Sequence, residues 1–72
     1  MKLRQIVARN LRVLRKQKGL SQEELAFLAG INRNYVGQIE REEKSPTVDV
    51  VEKLAIAMDL KPEEFLAHRG RR

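Results

Sequence analysis

The 72-residue chain has no cysteine. That excludes a disulfide framework and a thiolate metal site, and it suits a reducing cytoplasm. Long hydrophobic runs are missing too. Charge interrupts each apolar stretch, so neither a secretory leader nor a membrane span is expected. The one histidine, His68, has no obvious partner, and no glycine-rich phosphate loop or nucleophile motif occurs. The acid pairs Glu23/Glu24 and Glu63/Glu64 fall in first helical turns, where dipole and cap stabilise them, not at spacings that converge on a metal. A non-enzyme is expected, with no cofactor, metal or small-molecule ligand. The length is that of one domain, assigned to residues 1–68 with a basic tail at 69–72, without a separate effector-binding module.

What the chain does have is unevenly placed positive charge. Residues 1–44 hold ten Lys/Arg against five Asp/Glu, residues 45–68 two against five, and the last four residues add three Arg. Such asymmetry suits a polyanion facing one side of the domain, or a plainly solvated basic face.

No stretch alternates apolar and polar residues long enough to make a strand, whereas apolar residues recur at threes and fours, so the fold class is all-α. Leu3, Ile6, Val7, Leu11 and Leu14 form a first stripe, closed near residue 17 by Lys16, Lys18 and Gly19. Ser21-Gln-Glu-Glu24 is a capping box before Leu25, Leu28 and Ala29, giving a short helix over 22–29. Gly30 ends it and Asn32 caps a third helix over 33–41. Thr47 caps a fourth, with Val48, Val51, Leu54, Ala55 and Met58 on its inner face, and Pro62 opens a short fifth carrying Phe65 and Leu66.

The third helix is the informative one. At about 100° per residue, Val36 and Ile39 share one side, while Arg33, Asn34, Gly37, Gln38 and Arg41 spread over roughly 140° of the other. That outer face has no acid, and its Arg, Asn and Gln are the side chains suited to bidentate hydrogen bonds with base edges in a major groove. Gly37 costs a helix roughly 1 kcal/mol relative to Ala. It either allows close approach to a duplex or relieves packing against a neighbouring helix. Between the second and third helices, Ala26, Gly30, Val36 and Ile39 supply the small residue, left-handed residue and apolar locks of a tight helix-turn-helix corner.

The run "LRKQKGLSQEELAFLAGINRNYVGQIEREEKSPTVDVVEKLAIAMDL" resembles the phage-repressor-like, Cro/XRE-type DNA-binding domains, and the length and layout are similar to the controller proteins of restriction-modification systems. The resemblance covers nearly the whole chain. It implies a compact lambda-repressor-like five-helix bundle that binds palindromic operator DNA as a homodimer and regulates transcription. By position it implies base reading by Arg33, Asn34 and Gln38, and phosphate contacts by Ser21 and Gln22 at the start of the second helix. Asn32, Arg41 and Lys44 match further phosphate positions, and Tyr35 either lines the groove wall or packs at the rim. Arg15 and Glu40 match a partly buried ion pair. Glu42 departs from the pattern, since relatives often have Gly there. Leu60, Phe65 and Leu66 are candidates for the dimer surface, or else close the monomer's own core. The rival reading is a protein-interaction module, an antitoxin or adaptor, on the same bundle.

Overall fold

A computed structural model describes residues 2–68; the basic tail at 69–72 lies outside the described residues. Among them are α1 (Leu3–Gln17), α2 (Gln22–Ala29), α3 (Arg33–Glu40), α4 (Val48–Met58) and a 3₁₀ turn at Pro62–Phe65, with no strand. The fifth helix expected from sequence is therefore a single 3₁₀ turn, and Leu66 lies just past its end. Pro62 fixes its first position, and the turn closes with an i to i+3 bond in which the Leu66 N–H donates to the Glu63 carbonyl at 3.0 Å.

Local signals set the helix ends. Ser21 Oγ accepts from the Glu24 N–H at 3.0 Å while Glu24 Oε1 accepts from the Ser21 N–H at 2.8 Å. Asn32 and Thr47 cap α3 and α4 in the same way, each through a side-chain oxygen. Gly30 takes φ +71°, and the Ile31 N–H then reaches back to the Ala26 carbonyl at 3.0 Å, which turns the chain sharply from α2 into α3.

The core joins Val7, Leu11 and Leu14 of α1 with Leu25, Ala26 and Ala29 of α2, Val36 and Ile39 of α3, Leu54, Ala55 and Met58 of α4, and Phe65. Helix α2 packs on both α3 and α4, while α1 lies against α3 and the 3₁₀ turn. Phe65 is 0% exposed, so it closes the monomer and does not serve as a dimer contact. Leu60 also packs on the core, partly buried.

Three residues expected inside are outside. Leu28 is exposed because the buried arc of α2 runs through Leu25, Ala29 and Ala26, about 110° away from it. Leu3 and Val48 are the first residues of their helices, where the apolar stripe continues past the end of the core; Val48 is 84% exposed. Leu3, Val48 and the half-exposed Leu66 line one shallow groove with Pro46 and Val51.

Candidate nucleic-acid interface

What α3 turns inward decides what it offers outward. Val36, Ile39 and the carboxylate of Glu40 are buried, which leaves Arg33 and Asn34 exposed and Gln38 and Tyr35 half-buried. Tyr35 packs against the edge of the core, the rim position. Asn32 uses its Oδ1 on the Asn34 N–H at 2.8 Å, so its acceptor serves the helix cap. After α3 the Gln38 carbonyl accepts from the N–H groups of Glu43, at 2.8 Å, and Lys44, at 3.3 Å. This folds the loop back and keeps exposed Lys44 beside the helix end.

An ion pair fixes the angle of α3. Arg15 of α1 donates to Glu40 through Nε at 2.7 Å and Nη2 at 3.1 Å, and through Nη1 to the Leu20 carbonyl at 2.8 Å. Gln22 of α2 donates from Nε2 to Glu40 Oε1 at 3.0 Å. One carboxylate thus ties three helices together. Burial pushes the Glu40 carboxyl up, but hydrogen bonds from Arg15 and Gln22 and the charges of Arg15 and Arg12 outweigh it, leaving the group below the usual carboxylate range. Arg12 also donates to the Glu40 backbone carbonyl at 2.9 Å, a cation at the C-terminal end of α3.

Gly37 is buried, and a Cβ added there would stand 2.9 Å from Arg41 Nη1 and 3.2 Å from Gln22 Oε1. Residue 37 is covered by the ends of two flexible side chains, Arg41 and Gln22. The amide nitrogen of Gln22 is turned to Glu40, which uses one of its two N–H groups. Ser21 holds its cap with Glu24, whose carboxyl is kept below its ordinary range by the hydrogen bond from the Ser21 backbone and then by that with its hydroxyl.

The outer face of α3 has no acid within the helix, yet the fold brings two. Glu23 of α2 meets Arg33 Nη1 at 3.1 Å, and Glu43 meets Arg41 with both oxygens, at 2.9 and 3.2 Å. The hydrogen bond between Arg41 and Glu43 raises the guanidinium and lowers the carboxyl. Glu42 adopts φ +64°, the left-handed conformation for which glycine is suited.

Sequence reasoning passed over Asn10. It is fully buried in α1, and its Nδ2 donates to the carbonyls of Phe65 at 2.8 Å and Ala67 at 2.7 Å. The signal was available: at about 100° per residue Asn10 lies between Ile6 and Leu14 on the apolar stripe. Among the described residues, no group of His, Cys, Asp and Glu could hold a metal ion, and no helix is long and apolar enough to cross a membrane.

Comparison with known proteins agrees with this corner. The family model described as Helix-turn-helix (HTH_3) matches residues 11–65. Control protein C.SmaI of Serratia marcescens is 36% identical over 70 residues, covering 97% of this chain and 83% of that protein. The crystal structure of the restriction-modification controller protein C.AhdI from Aeromonas hydrophila superposes with a TM-score of 0.83 at 45% identity, over 86% of this chain and 94% of that one. That of the hypothetical transcription factor NHTF from Neisseria gives 0.88 at 38% identity, over 92% and 76%.

Proposed function

Because the chain belongs to the helix-turn-helix family HTH_3, of Cro/XRE type, we propose that it is a transcriptional regulator that reads operator DNA in sequence-specific fashion as a homodimer, inserting α3 into the major groove. The observation that carries this reading is the division of α3: Val36 and Ile39 lock it to the core, while Arg33, Asn34 and Gln38 are left on the outside. An arginine pairs with guanine O6 and N7 in the major groove, and Asn or Gln with adenine N6 and N7. Arg41 and Lys44, at the far end of the helix, are the phosphate contacts in this reading, which position without reading sequence.

A dimer follows from the information required. One recognition helix reads about three or four base pairs, and two half-sites about one turn apart multiply the discrimination. The groove of Leu3, Val48 and Leu66 belongs to neither α2 nor α3, so covering it with a second copy leaves the reading helix clear. The similarity to controller proteins supports a regulatory role of the same kind.

A second reading, a module that binds another protein, has one observation in its favour: Phe27 and Leu28 stand exposed on α2. Selection of bound duplexes from a random pool, followed by footprinting, tests both. Enrichment of a two-fold-symmetric site supports the regulator, and the absence of any preferred sequence leaves the protein-binding module.

A further inference from the structure

Resting on the reading role given above to Arg33, we propose that Glu23 is a specificity-determining residue: it holds Arg33 by one nitrogen, so that a guanine edge and not a phosphate wins the rest of the guanidinium. Glu23 is the second residue of α2 and Arg33 the first of α3. The corner between them is built by Gly30 in the left-handed conformation and by Ala26, Val36 and Ile39 in the core, so the carboxylate is positioned by packed helices. Glu23 Oε2 meets Arg33 Nη1 at 3.1 Å, with each side chain 71% exposed and open to a ligand.

An arginine at the tip of a recognition helix is attracted to any phosphate, and that attraction carries no sequence information. Glu23 opposes it in two ways. A phosphate that meets the free Nε and Nη2 edge sets a second anion beside the Glu23 carboxylate on Nη1, and leaving Glu23 for the phosphate only exchanges one oxyanion for another and strands that carboxylate beside the DNA backbone. Guanine presents neutral acceptors in the groove. The Nε and Nη2 side of Arg33 meets these while Nη1 stays on Glu23, so reading requires no exchange. The pair at the other end of α3 is held differently. Glu43 takes Arg41 by Nε and Nη2 together, the same two-pronged edge a phosphate uses, so that pair has to open for contact.

The test compares wild type, Glu23→Gln, Arg33→Ala and the double variant on the duplex selected by wild type and on a random duplex of equal length, at several salt concentrations, with thermal melting of each protein. Glu23→Gln is expected to raise random-duplex affinity a few-fold, leave operator affinity level or slightly lower, and relax preference at one position per half-site. Its operator-to-random ratio falls several-fold over two half-sites, the scale of two exposed ion pairs, with no further fall in the Arg33→Ala background and little change in melting. An unchanged ratio, an equal gain on every duplex, or the same fall without Arg33 overturns the proposal while leaving the regulator standing. Lack of any preference by wild type overturns the DNA-reading role itself.

Discussion

Gln22 of α2 donates from Nε2 to Glu40 at 3.0 Å and rests its own carbonyl oxygen 3.2 Å from where a Cβ on Gly37 would stand. Stability and approach to DNA therefore meet at one glycine. A methyl group there displaces only the ends of two flexible side chains, Gln22 and Arg41, while the helix recovers roughly 1 kcal/mol of propensity. Gly37→Ala is expected to melt at the same temperature or a few degrees higher, yet to bind operator and random duplexes more weakly by similar factors. Melting and binding measured on the same preparation check this, and a fall in melting temperature would show that Gln22 has no room to give.

Acid is expected to unfold the domain in part through Glu40. Despite burial, which pushes its carboxyl up, the hydrogen bonds and charges of its partners leave it below the ordinary range. A carboxyl depressed in the folded state binds fewer protons there than in the unfolded chain. Its stabilisation is complete above the unfolded value of about 4.3 and is lost as pH falls through the folded one. Glu40→Gln leaves the buried Arg15 without its counter-charge, at a cost of about 3 kcal/mol at pH 7. It also shows a shallower decline below about pH 4, with Glu24 and Glu43, likewise held low, retaining part of it. Urea unfolding of both proteins at pH 7 and pH 3 measures the difference; parallel acid limbs would remove Glu40 as a source.

Glu42 sits at φ +64° with a side chain that gains nothing from the conformation in exchange for its steric cost. Glu42→Gly is expected to stabilise by about 0.5 kcal/mol, the relief of strain less the added freedom of the unfolded chain. That corresponds to roughly 2–4 °C in a domain of this size. Glu42→Asn, which tolerates the same conformation, separates backbone relief from the loss of charge: calorimetry should rank both above wild type, and a gain in Asn below that in Gly.

Phe65 and Leu66 are neighbours with opposite duties. The first is wholly buried and the second 48% exposed on the groove with Leu3 and Val48. Phe65→Ala is expected to cost about 3–5 kcal/mol and unfold most of the protein. Leu66→Asp is expected to keep the helical circular dichroism and halve the sedimenting mass. A mass unchanged by Leu66→Asp would move the dimer contact elsewhere.

The sequence made the corner legible because its signals are local: a capping box at Ser21 and Glu24, glycine at 30, asparagine at 32, and two apolar locks at Val36 and Ile39. Periodicity named the faces of the helices but not how far their neighbours extend, so Leu3, Leu28 and Val48 were assigned to an interior that stops short of them. Pairings across helices were harder still. Glu23 lies ten residues from Arg33, and only the turn at Gly30 brings the carboxylate round to it. For Asn10 the spacing shows burial but not purpose: its partners are backbone carbonyls at residues 65 and 67, which leave no mark on composition.

The Asn10 amide has a consequence for assembly. By clasping both carbonyls it fastens the segment that bears Leu66 onto the first helix, so peeling that segment away breaks two hydrogen bonds and uncovers Phe65 together. In the proposed dimer the surface offered to a twin subunit is thereby completed only after the monomer has sealed itself, and a half-folded chain has nothing correctly shaped to recruit.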